Sequence, residues 1–356
     1  MTLPRTVALF ALAAVAPLLF SAGGGVLNNM VLAAAYVLMA LGLNVVVGFA
    51  GLLDLGYVAF YAIGAYTAAY LGSGFWDIHL NFVLILAAAV ATTAIAGALI
   101  GVPTLRLRGD YIAIVTLAFG EIIGQIAVNG RSIELFGGTL TSGPIGIGPI
   151  DRPELPLLGQ FGALDLRPWY WFALALAGIA LIVNVRLRES RLGRAWIAMR
   201  EDESVAACAG IPIVRTKLMA YATGAAFGGV SGAFLASYVG VVNASQFEFS
   251  FSIFIFAMVV LGGLGSIPGV VIGAILLSLV NYWLLPDLLF DLPAKAGLDF
   301  DLAEISPGIY GALLVLVMLL RPQGLIPARR PVTRREAETA TLRPRAGRRR
   351  SVQASA

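Results

Sequence analysis

The sequence is poor in the side chains that most enzymes use for chemistry. Its 356 residues include one cysteine, Cys208, and one histidine, His79. These numbers exclude a disulfide framework, a Cys/His metal site and a Cys–His or Ser–His catalytic pair. Neither of the two lysines, Lys217 and Lys295, follows a glycine, so a GxxxxGK[ST] phosphate-binding loop is excluded too. If ATP drives this protein, another chain must bind it.

Charged residues of both signs are also scarce, at 12% of the chain, whereas 59% of the residues are hydrophobic and the mean hydropathy is +0.88. An ordinary soluble domain has about 25% charged residues. A soluble fold of this size could not bury so much apolar surface and still cover itself with polar groups. The composition excludes a cytosolic enzyme, a nucleic-acid binder and a disordered chain, and it indicates an integral membrane protein.

Ten apolar stretches are candidates for membrane-spanning helices, each of which needs about 20 residues. Two of them are weaker: 250–264 is short, and 7–21 also has the pattern of a signal peptide, although we expect it to be retained. The predicted fold is an all-α integral membrane protein with about ten transmembrane helices. The predicted spans are 7–21, 26–50, 57–71, 80–102, 111–128, 169–185, 217–242, 250–264, 268–285 and 305–320.

The positions of Lys and Arg predict the orientation of these helices, because cytoplasmic loops carry an excess of both. With the N terminus inside, segments 1–6, 103–110, 186–217 and 321–356 hold 20 of the 24 basic residues. The last of these segments contains ten arginines and two glutamates, which leaves residues 1–320 with 14 basic and 18 acidic residues. The formal net charge of +4 therefore belongs to the tail, and both termini are predicted to be cytoplasmic.

Two inside connections, residues 51–56 and 265–268, contain no Lys or Arg and are rich in glycine. Backbone at membrane depth leaves helical geometry only where protein or a water-filled cavity satisfies its polar groups. Glycine-interrupted segments in corresponding halves of a chain point to broken helices at a transport site. Small residues are also typical of tight helix packing. Broken helices and tight packing are therefore two alternatives for these glycines.

Four polar residues in or beside the spans are candidates for a translocation pathway. Glu121 falls in the middle of a predicted span, where a bare carboxylate costs several kcal/mol. It is either a pathway residue or the acceptor of a buried structural hydrogen bond. Asp54 can line a pathway or cap the helix that begins near Gly56. Asn44 and Tyr57 can line the same region or serve as packing.

The inside segment 186–217 is the most informative hydrophilic stretch. Trp196 and Met199 fall on one side of a predicted short helix. Asp202 or Ser204 can cap a second short helix, which ends at Gly210. Two exposed amphipathic helices need a partner surface or the bilayer face, so the apolar side chains predict a docking element. The alternative is a solvated loop that only sets topology.

Several of these stretches resemble the permeases of branched-chain amino acid ABC importers. Residues 42–66 (GLNVVVGFAGLLDLGYVAFYAIGAY) carry the resemblance to the family, and residues 108–123 (RGDYIAIVTLAFGEII) resemble its LivM-type subunit in particular. Residues 193–218 are similar to the coupling loop that ABC permeases present to their ATPases. With 262–269 and 321–325, the resemblance extends from about residue 26 to residue 327.

The resemblance implies an ABC importer permease fold over residues 1–327, in a bacterial inner membrane, followed by a basic and disordered tail over 328–356. A LivH-like permease would complete the pore, two cytoplasmic ABC ATPases would bind ATP, and a periplasmic binding protein would deliver Leu, Ile or Val. The chain itself would hold no cofactor or metal and perform no covalent chemistry. The residues expected to couple this chain to an ATPase are Gly193, Arg194, Arg200, Glu201, Asp202, Glu203 and Gly210.

Two alternatives to this function stay open. Relatives of the family are assigned to urea or other amides, so the cargo could instead be urea or a short amide. A self-sufficient secondary carrier or channel is the other alternative, although the spans lack the paired carboxylates of a proton relay. One departure from the family pattern lies in the outside loop, where Ser142 replaces a glycine and places a required positive φ in doubt.

Overall fold

The computed structural model describes residues 23–105, 107, 109–135, 138–155, 159–162, 165–282, 321 and 323–327, with isolated positions at 17, 21, 308, 311, 312, 315, 316, 319 and 320. The helices in this part of the chain are α1 (Gly25–Leu43), which continues into a π-helical turn (Asn44–Phe49), α2 (Val58–Leu71), α3 (Phe82–Thr104), α4 (Asp110–Asn129), α5 (Arg167–Glu189), α6 (Arg191–Glu201), α7 (Glu203–Cys208), α8 (Ile213–Val239), α9 (Phe249–Gly262) and α10 (Ile267–Leu279).

Within the described residues, strands are confined to three antiparallel pairs of two residues each, so the predicted all-α class is confirmed. The pairs are β1 (Gly72–Ser73) with β2 (Ile78–His79), β3 (Glu134–Leu135) with β4 (Gly138–Thr139), and β5 (Glu154–Leu155) with β6 (Gly159–Gln160).

Eight of the described helices match eight of the ten predicted spans. Five are long and apolar enough to cross a membrane: α1 with its π-helical turn, α3, α4, α5 and α8. Three are shorter, namely α2, α9 and α10, the last of which reaches Tyr282 with its final turn. Apart from isolated positions, the predicted spans 7–21 and 305–320 lie outside the described residues, as does the tail 328–356.

Helix α8 packs along α2 and α3 through glycines. A Cβ atom added to Gly64 of α2 would lie 2.3 Å from the carbonyl oxygen of Gly229 of α8. A Cβ atom added to Gly97 of α3 would lie 2.6 Å from the Cβ of Ala225. Close backbone approach at small residues is how helices associate in membranes. Tight packing is therefore the role of these glycines.

Helices α3 and α5 each turn an apolar face away from the bundle. Ile95 and Leu99 of α3 are 62% and 66% exposed, and Ile179 and Ile182 of α5 are also exposed. Lipid tails are as apolar as these side chains, so both faces suit contact with a bilayer.

Both glycine-rich connections leave helical geometry. Residues 50–57 are non-helical between α1 and α2, and Gly51 has a φ of +72°. Residues 263–266 separate α9 from α10, with φ values of +114° at Gly263 and +81° at Gly265. We call these two segments the first break and the second break.

The serine in the outside loop causes no backbone strain. Ser142 has a φ of −90°, and the positive φ falls on Gly143, at +60°. The Thr141 hydroxyl donates to the Ala127 carbonyl of α4 at 2.9 Å. Ile147 pairs with Val242 just after α8. The loop is therefore anchored to the ends of two spans, and the doubt about a missing glycine is removed.

Candidate functional site

The polar segment 186–217 folds into two capped helices between α5 and α8. The Ser190 hydroxyl accepts from the Gly193 N–H at 3.0 Å and caps α6. Asp202 ends α6 and caps α7, because its Oδ1 accepts from the N–H groups of Ser204 and Val205 at 2.8 and 3.0 Å. Of the two predicted caps, Asp202 is confirmed and Ser204 is its partner.

Trp196 and Met199 fasten this segment to the rest of the chain. Trp196 is fully buried, and its Nε1–H donates to the Thr216 carbonyl of α8 at 2.9 Å. Met199 is buried beside it. The expectation that these apolar side chains form a docking surface is wrong, because both pack against the helices of this chain.

A charge pair fastens the segment a second time. The Nζ of Lys217, on α8, donates to Oε1 of Glu203 at 2.8 Å. The lysine side chain is 2% exposed and the glutamate side chain 35% exposed. A buried ammonium without a partner is costly, so Glu203 fixes the start of α7 to α8. Glu203 is thus half-buried rather than presented to solvent.

The exposed face of the segment consists of other residues. Arg194, Glu201 and Asp202 are exposed, and Val205 of α7 is 65% exposed. Gly210 is exposed with a φ of +85°. Gly193 is buried, and a Cβ atom there would lie 2.0 Å from the Leu187 carbonyl oxygen. The predicted coupling residues therefore form two groups. Arg194, Glu201, Asp202 and Gly210 are exposed, whereas Gly193 and Glu203 pack against the rest of the chain.

Arg200 extends from α6 to both breaks. Its Nη1 donates to the Gly48 carbonyl, in the turn that precedes the first break. Its aliphatic stem covers Gly51, where an added Cβ would lie 2.6 Å from Arg200 Cγ. The same Nη1 would lie 2.9 Å from a Cβ on Gly265, in the second break. One side chain of the polar segment thus touches both interruptions.

Asn44 connects the π-helical turn that precedes the first break to the second break. This fully buried side chain accepts from the Gly265 N–H through its Oδ1 at 2.9 Å. An added Cβ on Gly48 would lie 2.0 Å from the same oxygen. Glycine at position 48 therefore leaves room for the amide beside the second break.

The described carboxyl-terminal residues complete this side of the bundle. The N–H groups of Leu325 and Ile326 donate to the carbonyls of Leu261 and Gly262, at 2.9 and 3.1 Å. The polar segment, both breaks and residues 323–327 therefore lie on one side of the molecule. This arrangement agrees with the relative positions that the sequence predicts for them.

Asp54 and Tyr57 are buried inside the first break. Asp54 Oδ1 accepts from the Gly56 N–H at 2.9 Å, and the Tyr57 hydroxyl donates to the Gly224 carbonyl at 2.9 Å. Helix α2 begins at Val58, whose N–H donates to the Ser252 hydroxyl of α9 at 3.0 Å. The expectation that Asp54 caps α2 is wrong, because Asp54 closes the preceding turn and Ser252 receives the helix N–H.

Glu121 has a different environment from the other three pathway candidates. It is exposed on α4, and within the described residues it forms no hydrogen bond or ion pair. The alternative of a buried structural hydrogen bond is therefore wrong. Gln125 and Asn129 follow on the same face, and the two amides are 3.3 Å apart. The shallow groove on this face is lined by Glu121, Ile122, Gln125, Ile126, Asn129 and Ile133.

These features define a class of protein: a multi-pass helical membrane protein with a preformed polar segment that contacts two interruptions of its helices. Among the described residues, no group of three His, Cys, Asp or Glu side chains lies close enough to hold a metal ion.

Comparison with known proteins specifies the class further. The family model described as "Branched-chain amino acid transport system / permease component" matches residues 25–318. The chain is 40% identical over 349 residues to the high-affinity branched-chain amino acid transport system permease protein LivM of Escherichia coli (strain K12), covering 91% of this chain and 75% of that protein. The chain therefore belongs to this family of transport permeases, and the resemblance to the LivM type is confirmed.

Two further relatives show how broad the similarity is. The chain is 28% identical over 256 residues to a probable LivM permease of Methanocaldococcus jannaschii, covering 70% of each protein. It is 26% identical over 309 residues to the permease protein LivH of Escherichia coli (strain K12), covering 84% of this chain and 93% of that protein. No solved structure matches this chain.

Proposed function

We propose that this chain is the LivM-type permease subunit of an ATP-driven ABC importer that carries Leu, Ile or Val across the bacterial inner membrane. The observation that carries the proposal is that segment 186–217, in a chain of this family, is attached to α8 by Trp196 and by the Glu203–Lys217 pair. Its charged face points outward, and Arg200 connects it to both breaks. Because this chain has no nucleotide-binding loop, it needs a segment that connects its helices to a separate ATPase.

The proposal requires four partner chains and no cofactor in this one. A LivH-like permease forms the other half of the pore, two ABC ATPases bind and hydrolyse ATP, and a periplasmic binding protein delivers the amino acid. Both termini and the segment 186–217, which we now call the coupling segment, are cytoplasmic. This chain performs no covalent chemistry, and its surroundings are the lipid bilayer.

The coupling segment has two tasks in this scheme. The exposed residues Arg194, Glu201, Asp202, Val205 and Gly210 face an ATPase. Arg200 transmits displacement of the segment to the two breaks. When ATP closes the ATPase dimer, the segment moves and the passage opens outward to receive the amino acid from the binding protein.

Reconstitution of the complete importer in vesicles tests this function. We expect ATP-dependent uptake of radiolabelled leucine that requires the binding protein, and no uptake by this chain alone. Urea uptake without leucine uptake would reject the assignment of the cargo. Leucine uptake by the isolated chain would instead indicate a self-sufficient carrier.

Charge reversal tests the docking surface. Glu201→Lys reverses an exposed charge without touching the caps, whereas Asp202 must be kept because it caps α7. We expect Glu201→Lys to weaken co-purification of the ATPases while the chain still inserts into the membrane. The matched control is Glu248→Lys, which reverses an exposed charge at the opposite end of the bundle. Equal ATPase recovery from both variants would reject the docking role of this face.

A further inference from the structure

We propose that the outward face of α4 around Glu121, Gln125 and Asn129 is one wall of the translocation passage and binds the charged ends of an α-amino acid. The facing wall is a second permease subunit of the same family. This inference rests on the proposed function and adds to it the group that recognises the cargo.

The first argument is the polarity of this face. Glu121 lies near the middle of the span Tyr111–Ser132, about 15 Å from either end at 1.5 Å per residue. A charge at that depth is costly in lipid. Near the middle of α3 and α5 the large exposed side chains are apolar, with Ile95 and Ile179 as examples. The face of α4 therefore suits a water-filled passage rather than lipid.

The second argument is the chemistry of the groove. The Glu121 carboxylate has no partner among the described residues, so it is available to a cation such as an ammonium group. The Gln125 amide lies one helical turn further along, about 6 Å in rise, and can donate to a carboxylate. Ile122 and Ile126 line the same groove. An amino acid with a branched apolar side chain is complementary to this groove: the carboxylate and the amide suit its charged ends, and the two isoleucines suit its side chain.

The third argument is the connection between this wall and the coupling segment. Gly120, next to Glu121, lies against the first break, since its added Cβ would be 3.1 Å from the Gly56 Cα. The Leu55 N–H of the same break donates to the Thr116 hydroxyl of α4 at 3.1 Å. The aliphatic stem of Arg200 covers Gly51 of the first break. The face of α4 that carries Glu121, Gln125 and Asn129 is therefore linked through the first break to the coupling segment.

The fourth argument concerns the facing wall. The face of α4 is open on one side, so a passage along it needs a second chain. The chain resembles both the LivM and the LivH permease of one organism. Two related permeases can pair through equivalent faces, as subunits do about a two-fold axis. A LivH-like permease therefore forms the wall that faces α4.

Water access to this face can be measured with single cysteines in the assembled importer. Cys208→Ser removes the one native thiol, and Gln125→Cys then reports on the wall. Ile95→Cys, on the apolar face of α3, is the matched control. Thiolates form in water, so we expect an impermeant methanethiosulfonate to label Gln125→Cys about tenfold faster than Ile95→Cys, and leucine with the binding protein to slow that labelling. Equal rates at the two positions would overturn the inference.

Substitution of Glu121 tests recognition of the ammonium group. Loss of one charged hydrogen bond should lower leucine uptake by Glu121→Gln about tenfold, while the importer still assembles. Glu121→Asp keeps the charge and should retain most of the uptake. If the wild-type importer carries leucine and Glu121→Gln carries it equally well, this inference is overturned. If the wild-type importer carries no leucine, the proposed function fails instead.

Discussion

The guanidinium of Arg200 donates a hydrogen bond to the Gly48 carbonyl, across 152 positions of the chain. The bond joins the coupling segment to the π-helical turn at the end of α1. The same side chain lies over Gly51 and against Gly265, so it contacts both breaks. Since Trp196 and the Glu203–Lys217 pair hold the segment on α8, this contact is the direct link from α6 to the breaks.

Replacement of Arg200 should separate ATP hydrolysis from transport. We expect Arg200→Ala to assemble with the ATPases and to keep basal hydrolysis, because Arg194, Glu201 and Val205 remain on the outer face. Leucine uptake per ATP hydrolysed should fall about tenfold or more, the size expected for loss of a charged hydrogen bond. The ratio of uptake to hydrolysis in vesicles measures this effect.

Arg194→Ala is the control for this prediction. Arg194 lies on the same helix, but its Nη1 donates to the nearby Glu189 carbonyl and not to a break. The ratio of uptake to hydrolysis should stay near the wild-type value in Arg194→Ala. A wild-type ratio in Arg200→Ala would contradict the proposed role of the link.

Removal of Glu203 should destabilise the coupling segment. Glu203→Ala leaves the Lys217 ammonium buried without its partner, at an expected cost of about 1–3 kcal/mol. Chemical unfolding in mixed micelles measures the loss. The double variant Glu203→Ala with Lys217→Met removes both charges and should recover much of it. No recovery in the double variant would show that the pair is not the cause.

Alanine at Gly64 should disrupt the contact between α2 and α8. The added methyl group would lie 2.3 Å from the Gly229 carbonyl oxygen, so the backbones must separate. We expect a loss of about 1–3 kcal/mol in the free energy of unfolding. Gly25→Ala in α1, where no atom lies within 4 Å, is the control and should change stability by less than about 0.5 kcal/mol. Similar losses at both sites would argue against close packing.

The single histidine should titrate above its ordinary range. His79 Nδ1 lies 2.5 Å from Asp151 Oδ2, and this hydrogen bond and the charge of Asp151 raise the pKa of His79 above 6.5. Because the folded pKa is raised, the pair stabilises the loops most below pH 6.5 and loses this effect as the pH rises through the folded pKa.

NMR titration can follow the imidazole directly, because the chain has one histidine. We expect Asp151→Asn to bring the pKa of His79 close to 6.5. Asp77→Asn should lower it less, since Asp77 lies 3.9 Å from Nε2 and contributes only through its charge. An unchanged pKa in Asp151→Asn would contradict the assignment.

Local features of the fold follow from the sequence. The apolar stretches predict eight described helices, because each stretch is long enough to need an apolar environment wherever it lies. The glycines at 51 and 265 predict the two breaks, since both positions have a positive φ that other residues rarely adopt. Asp202 predicts the start of α7, because its side chain satisfies N–H groups only two and three residues away.

Contacts between distant segments were decided by tertiary structure alone. The amphipathic pattern of α6 is the same whether Trp196 faces a partner protein or its own chain. Trp196 is buried because α8 lies against it. Ser252 receives the first N–H of α2 from 194 residues away, which no local signal near Asp54 indicates. Helical periodicity places Glu121 on one face of α4, but the packing of α4 against the first break turns that face outward. The sequence predicts which of the described segments are helical, whereas the faces on which those helices meet depend on the tertiary fold, because those contacts join residues far apart in the chain.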